Sequence, residues 1–375
     1  MKVLHIFNEI NFSGAEIMYA NAAPYFKNKG VKMFAFSTGA NMGNFVEEFR
    51  NNDIEVYHHF IKSDFHLSGS TFRFYSDFYK FLKKNKIDVV HIHRNNLYVA
   101  GFIASIAGLK VVKTMHSIFR HRKFTYPYGF FIRLLSRKFF HFKFHSIGES
   151  VQENELNYYH NPSVRIYNWY DSKRFYEPNE QEKSQSRSKL GISHNQFVVV
   201  SVGSCSKNKN HSDIINALSL IKDELDFVYL HLGTGATESE EKHLVDSLGM
   251  REKVRFLGNQ HNVRDYLIAS DVFVMTSRIE GLGNAGIEAM ACGLPSILYN
   301  SSGLKDLVRD NKNGILIQFD FRELASKLIY IKNNPDKAKQ ISLEAVSYVK
   351  SEFSISKNVS QMIQLYKGED VGQIV

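Results

Sequence analysis

Two glutamates, Glu280 and Glu288, bracket the small-residue run in "SRIEGLGNAGIEAMACGLP" (277–295). The glycines would let backbone N–H groups come close to a ligand, and the start of a following helix favours negative charge. One helix end contributes only about 0.3–1 kcal/mol when exposed and up to about 2 when partly buried. Several amides acting together would hold a diphosphate. Carboxylates do not face phosphates, but they accept hydrogen bonds from vicinal hydroxyls, as the acid of a dinucleotide fold does with ribose. Glu288, one turn into the helix, is within reach of a nucleoside. Glu280, before the glycines, lies where a sugar would project. The chemistry indicated is the handling of a sugar-bearing diphosphate.

The elements around these residues follow from hydrophobic pattern. "DVFVMTS" is a buried strand ending at Ser277, and "NAGIEAMAC" is a helix with Asn284 as N-cap and Gly293 and Pro295 as stop signals. In doubly wound sheets ligands bind beyond the carboxyl ends of strands, where this loop sits. Apolar runs such as "KVLHIF", "VKMFAFST", "IDVVHIH" and "LKVVKTMHS" alternate with helical segments, which predicts parallel strands covered on both faces. Periodicity is lost across 171–195 and restarts at "FVVVSVGS". The fold class expected is α/β: two doubly wound, Rossmann-like units, 1–170 and 196–353, with a linker and a cleft between them. The last segment, about 354–375, is helical and suited to packing back onto the first unit.

The chain has 375 residues and a net charge of +9. The excess is confined to the front: residues 1–170 hold 22 Lys+Arg against 12 Asp+Glu, the remainder 25 against 26. Much of it lies in "SIFRHRKFTYPYGFFIRLLSRKFFHFKFHSIG" (117–148), which contains no acid. Cations interleaved with aromatic residues suit an anionic membrane surface, met through Arg120–Lys143. No nucleic-acid motif accompanies them, so no nucleic-acid partner is expected. There is no signal-peptide pattern and no apolar stretch of about 18 residues. Cys205 and Cys292 sit in apolar or small-residue settings that favour reduced thiols. A cytoplasmic protein, peripheral on the inner membrane face, is the expectation.

The 277–295 stretch resembles the E-x7-E motif of retaining glycosyltransferases of family 4, which have the GT-B architecture. "SGAE" (13–16) is similar to the family's first glycine loop, "TMHS" with His116 to its Thr-x-His strand end, and "VRIYNWYDSKRF" to its crossover. "VGSCSKNKNH", "HLGTG", "VRFLGN" and "ASDVFVMTS" follow in the family's order. The resemblance covers nearly the whole chain. It implies that Glu280 contacts the transferred sugar and Glu288 the ribose hydroxyls. Backbone groups of Gly281, Leu282, Gly283 and Asn284 would meet sugar and phosphate. Lys209 would neutralise the leaving diphosphate, Gly14 would approach the phosphates from the first unit, and His116 would sit near the sugar's C6 side. Ser204 replaces an arginine usual after Gly203; hydrogen bonds to charged groups are worth roughly 1.5–3 kcal/mol, and Arg278 or cations of the first unit are the candidates to compensate. Trp169 replaces the crossover glycine, and Pro24 falls inside the first helix, where it is expected to kink it.

The activity implied is transfer of a sugar from a nucleotide diphosphate, UDP on family frequency, to a lipid-linked or saccharide acceptor in surface polysaccharide or glycolipid synthesis. Sequence spacing shows no D-x-D and no metal-ligand cluster, so neither metal nor cofactor is expected. A nucleotide-sugar epimerase of the same fold and an inactive partner subunit are the alternatives. A dehydrogenase is disfavoured, because "NEINFSG" lacks the G-x-G-x-x-G fingerprint. Taken alone, His116, His91 and His93 read as strand-end or core histidines, "GTG" (233–235) as a tight turn, and Ile287 and Met290 as core.

Overall fold

Each half of the chain is wound in the same strand order. The structure is a computed structural model, and it describes residues 1–61, 69–120, 124–309 and 312–371. The first unit alternates β1 (Lys2–Phe7), α1 (Gly14–Asn28), β2 (Lys32–Ser37), α2 (Val46–Asn51), β3 (Glu55–His58), α3 (Gly69–Asn85), β4 (Val89–Ile92), α4 (Val99–Ile106), β5 (Lys110–Met115), α5 (Tyr126–Lys138), β6 (Lys143–Ser146), α6 (Glu149–Tyr159) and β7 (Val164–Arg165). Its sheet runs β3-β2-β1-β4-β5-β6-β7, and every pairing is parallel.

The second unit opens with α7 (Glu180–Lys189) and continues β8 (Phe197–Val202), α8 (His211–Leu220), β9 (Phe227–Leu232), α9 (Glu238–Ser247), β10 (Val254–Gly258), α10 (Val263–Ile268), β11 (Val272–Met275), α11 (Asn284–Ala291), β12 (Ser296–Tyr299), β13 (Ile315–Ile317), α12 (Phe321–Asn333) and α13 (Pro335–Glu352). Its parallel sheet runs β10-β9-β8-β11-β12-β13. A final helix, α14 (Ile355–Lys367), belongs to the first unit, which comprises 1–169 and 355–375; the second comprises 170–354.

Near-continuous apolar strands are what a sheet buried on both faces requires, and β8 and β9 are buried along almost their whole length. In the first unit α1 and α14 share one core, with Tyr19, Phe26, Met362 and Tyr366 buried among the same residues. Trp169 closes this core: its ring packs on Tyr19 and its indole N–H donates to the Met18 carbonyl at 2.9 Å. The bulk that replaces a glycine there is a core residue. Pro24 stands inside α1, which runs unbroken from Gly14 to Asn28.

One expectation needs correction. The stretch 171–195 is not a free connector but part of the second unit. Asn179 and Glu182 form a capping box that starts α7, and buried Arg187 donates to the carbonyls of Ala269, Ser193 and Gln196 and to Asp271. A helix tied down by one arginine carries too little apolar periodicity to be seen in sequence.

Candidate functional site

In both sheets the strand order reverses beside the first strand, between β1 and β4 and between β8 and β11. Such reversals open a crevice at the carboxyl ends of the strands, and ligands bind there. In the second unit two loops leave these strands: the turn 203–210 after β8 and the loop 276–283 after β11. Asn208 fastens one to the other, its amide donating to the Ile279 carbonyl at 2.8 Å and its side-chain oxygen accepting from the Ile279 N–H at 3.2 Å. The Arg278 N–H adds a bond to the Asn208 carbonyl, and the Thr276 hydroxyl bonds the Lys209 and Asn210 carbonyls.

This bracing brings Lys209 to Glu280, with Nζ to Oε1 at 2.6 Å and both side chains largely buried. The lysine stem lies across Gly203, where a Cβ would sit 3.4 Å from Lys209 Cδ and Cε. Gly233 and Gly235 press on the same turn, a Cβ at either meeting the Gly203 or Cys205 carbonyl oxygen at 1.9 or 2.3 Å. The "GTG" glycines are therefore explained by close backbone approach.

Gly281 to Asn284 continue the loop. Leu282 is buried, and Gly283 takes φ +72°, packing where a Cβ would meet Leu304 Cδ2 at 2.7 Å. The N-cap of α11 is this left-handed glycine, and Asn284 is the first helical residue; the expected asparagine cap is corrected by one position. Ile287 and Met290 are core. Glu288 is half-buried on α11, and burial pushes its carboxyl up to about 7, with Arg174 opposing the shift and Asp171 adding to it. Ser204 and Arg278 are both exposed on the two joined loops.

Gly14 and His116 lie in the first unit at its own reversal. Gly14 is the first residue of α1, after Ser13, whose hydroxyl bonds the Glu16 carboxylate. A cavity of about 450 Å³ is lined by Ser13, Glu16, His93, Arg94, Asn96 and His116, among others. His116 accepts or donates a 3.0 Å bond with His93, which from the sequence alone reads as a core histidine. Burial holds His116 down at about 3, so it is neutral at pH 7.

The sheets also assemble two groups that linear spacing hides. His5, His91 and His93 come together from β1 and the end of β4, and Cys205, His231 and Glu241 from the β8 turn, β9 and α9; each group places its ligand-capable atoms within 4.8 Å. Sequence spacing gave no metal cluster because every member lies on a different strand or turn, or two apart on one strand. In the second group the His231 Nε2 stands 3.3 Å from Glu241 Oε2 and 3.8 Å from Cys205 Sγ. A metal on Nε2 would leave the His231 Nδ1–H, which has no partner among the described residues, orphaned in the core, whereas an Nε2–H turned toward the Glu241 carboxylate leaves only a bare nitrogen there. The donor set fits a neutral histidine facing a carboxylate better than a metal. Cys205 and Cys292 are free and buried, with thiols pushed up to about 12 by desolvation.

A family model described as Glycosyltransferase Family 4 matches residues 12–203, more than half of the chain. This chain belongs to glycosyltransferase family 4. A second model, Glycosyl transferases group 1, matches residues 182–347. The N-acetyl-alpha-D-glucosaminyl L-malate synthase of Bacillus anthracis is 27% identical over 54% of this chain and 52% of its own length, so the chain spans about half of that relative. A UDP-Gal:alpha-D-GlcNAc-diphosphoundecaprenol alpha-1,3-galactosyltransferase of Escherichia coli is 28% identical over 77% of each chain. Among solved structures, a glycosyltransferase of Rickettsia africae superposes with TM-score 0.85 at 20% identity over 98% of both chains. Anabaena HepE, in complex with UDP and glucose, does so with TM-score 0.81 at 21% identity over 98% of this chain and 99% of its own. These similarities establish the two-domain Rossmann-like GT-B fold.

Proposed function

We propose that the chain is a retaining glycosyltransferase that moves a sugar from a nucleotide diphosphate, a UDP-sugar, to a lipid-linked or saccharide acceptor without a metal ion. The observation that carries this reading is the Lys209–Glu280 contact at the strand reversal of the second unit. An ammonium beside a glycine-rich loop and a helix start supplies positive potential for a departing diphosphate. The adjacent carboxylate positions sugar hydroxyls, and Glu288, farther along α11, meets the ribose. The acceptor hydroxyl attacks from the face the diphosphate leaves, so the anomeric configuration is kept. The E. coli relative named for a UDP-sugar and a lipid-diphosphate acceptor, and the HepE complex with UDP, support the donor and acceptor classes.

The acceptor side is supported by α5. Phe124, Tyr128, Phe131, Leu135 and Phe139 follow one another at helical spacing and are all exposed, Phe124 at 94% and Phe139 at 71%. Arg120, Lys138 and Lys143 of the same stretch are exposed too, Arg120 with its Nε on Asn154, while Arg133 is not part of this surface: it is buried against Glu155. His121, Arg122 and Lys123 lie outside the described residues. An apolar stripe on an acid-free basic helix suits the headgroup layer of an anionic membrane. Among the described residues no helix is long and apolar enough to cross one.

The test is a panel of nucleotide sugars with a lipid-diphosphate sugar acceptor, in chelator, the product's anomeric configuration read by NMR. Transfer with retention from a UDP-sugar is the expected result. No UDP binding at millimolar concentration by calorimetry would refute it.

A further inference from the structure

Three histidines of the first unit form one hydrogen-bonded chain that ends in the cavity. His5 Nδ1 meets His93 Nε2 at 3.0 Å, and His93 Nδ1 meets His116 Nε2 at 3.0 Å. The strands arrange this: His5 is the register partner of His91 on the adjacent strand, and His93 follows two residues on, so the rings share one face of the sheet. The rings of His5 and His93 are parallel to within 6° with centroids 5.3 Å apart, a spacing that with 3.0 Å between the facing nitrogens sets them edge to edge, and Phe7 stacks on His93 at 4.5 Å. That is the geometry of in-plane N–H···N bonds between imidazoles.

All three rings are held far below the usual histidine range by burial, so each carries a single proton. A neutral imidazole has one N–H and one bare nitrogen. His93 must donate to one neighbour and accept from the other, so only two proton arrangements satisfy both bonds. In one, every proton sits on Nδ1: His5 donates to His93, His93 donates to His116, and His116 presents Nδ1–H to the cavity. In the other, every proton sits on Nε2, and His116 presents a bare Nδ1.

The far end of the chain decides between them. His5 Nε2 is fully buried and has no hydrogen-bond partner among the described residues. The rings of Tyr19, Phe26 and Tyr366 stand around His5. The second arrangement puts an orphaned N–H there, whereas the first puts only a bare nitrogen. Buried N–H groups without acceptors are rarer than under-used acceptors.

We propose that His5 and His93 are positioning residues that lock His116 as its Nδ1–H tautomer, making this wall of the cavity a hydrogen-bond donor for a sugar hydroxyl or phosphate oxygen. The ligand half rests on the functional reading above; the tautomer half does not. Imidazole in water favours no such enforced pattern at three neighbouring rings, so the chain is what imposes it.

Long-range 1H–15N correlation spectra of protein carrying 15N-labelled histidine report the tautomer directly, with His116→Gln assigning the signal. Protonated Nδ1 at His5, His93 and His116 near pH 7 is expected; Nε2–H at His116 overturns the proposal. In His93→Phe the His116 signal should lose its pure Nδ1–H character. In His93→Gln it should keep it, because the amide can still donate to His116 and accept from His5. Loss of the tautomer in both variants alike would indicate a packing role only and would also overturn it. The wild-type spectrum decides even where a variant fails to fold. Addition of UDP, then of UDP-glucose, tests the ligand half: a shifted Nδ1–H with UDP marks a phosphate oxygen, and one seen only with UDP-glucose a sugar hydroxyl. No shift with either, while UDP binding is measurable by calorimetry, refutes the cavity contact and leaves the proton arrangement intact. If UDP does not bind at all, it is the reading of the second unit that fails.

Discussion

Lys209 and Glu280 neutralise one another across 2.6 Å. If Lys209 is the cation that meets the diphosphate, as proposed, a nucleotide must compete with a carboxylate for it. Glu280→Gln should remove that competitor. UDP should bind about three- to tenfold more tightly, the free-energy range of one partly exposed ion pair being on the order of 1 kcal/mol. Sugar transfer should nevertheless fall, because the amide holds a hydroxyl less well than a carboxylate. Calorimetry with UDP beside turnover with UDP-sugar separates the two effects, and weaker UDP binding would contradict the arrangement.

Lys209→Ala should act mainly on kcat. Charge on the leaving diphosphate develops in the transition state, and the loss of one oriented donor of that kind costs about 10²–10³ in rate. Glu288→Ala should mainly raise the donor KM, since ribose hydroxyls are bound equally before and during reaction. Similar small effects from both substitutions would show the site to be misplaced.

Glu288 gives a pH signature. Its carboxyl is pushed up to about 7, from an ordinary value of 4.5, chiefly by desolvation. Between those values the native chain holds more protons at this position than the unfolded chain. The group's contribution to stability is therefore greatest below pH 4.5 and declines as pH rises towards 7. Ribose hydroxyls donating to the carboxylate favour its charged form, so nucleotide binding near pH 6.5 should release a proton. Calorimetry in buffers of different ionisation enthalpy should find more proton release in the wild type than in Glu288→Gln. Equal values would remove Glu288 from the ribose.

Most of the architecture was visible in the alternation of apolar runs with helical segments, because a parallel sheet buried on both faces leaves little room for polar residues. Glu280, Lys209 and Glu288 stand out as candidates for a related reason, glycines and charges at a strand end having few structural uses, and the structure brings the first two into contact. His93 was not. Its meaning depends on His5, 88 residues earlier, and on His116, and only strand order makes them neighbours. The helix of 180–189 was hidden by its polarity, since a capping box and a buried arginine replace the apolar stripe.

The exposed stripe on α5 should govern membrane contact. Replacing Phe131 and Phe139, 62% and 71% exposed, with serine removes apolar area without touching the core. Sedimentation with vesicles containing anionic phosphatidylglycerol should fall several-fold, and binding by the wild type should weaken as salt screens the cations. Turnover on a water-soluble acceptor should be unchanged. Binding indifferent to lipid charge would exclude this surface.

The same helix is fastened by Arg133, whose Nε and Nη2 hold Glu155 at 2.7 and 3.0 Å while its guanidinium lies 3.7 Å over the Tyr159 ring. Both side chains are almost wholly buried, at 3% and 1% exposure. Removing one partner strands the other charge in the core, so Arg133→Met should cost about 3–5 kcal/mol. Adding Glu155→Met should recover a large part, because two apolar side chains of similar volume leave no unpaired charge; Asn161, which donates to the same carboxylate at 2.8 Å, then loses its acceptor and keeps recovery incomplete. Trp169 is the single tryptophan of the chain and is buried in the first unit, so its fluorescence follows that unit's unfolding in urea. An unchanged midpoint in Arg133→Met would mean that the pair contributes nothing to holding α5 against α6.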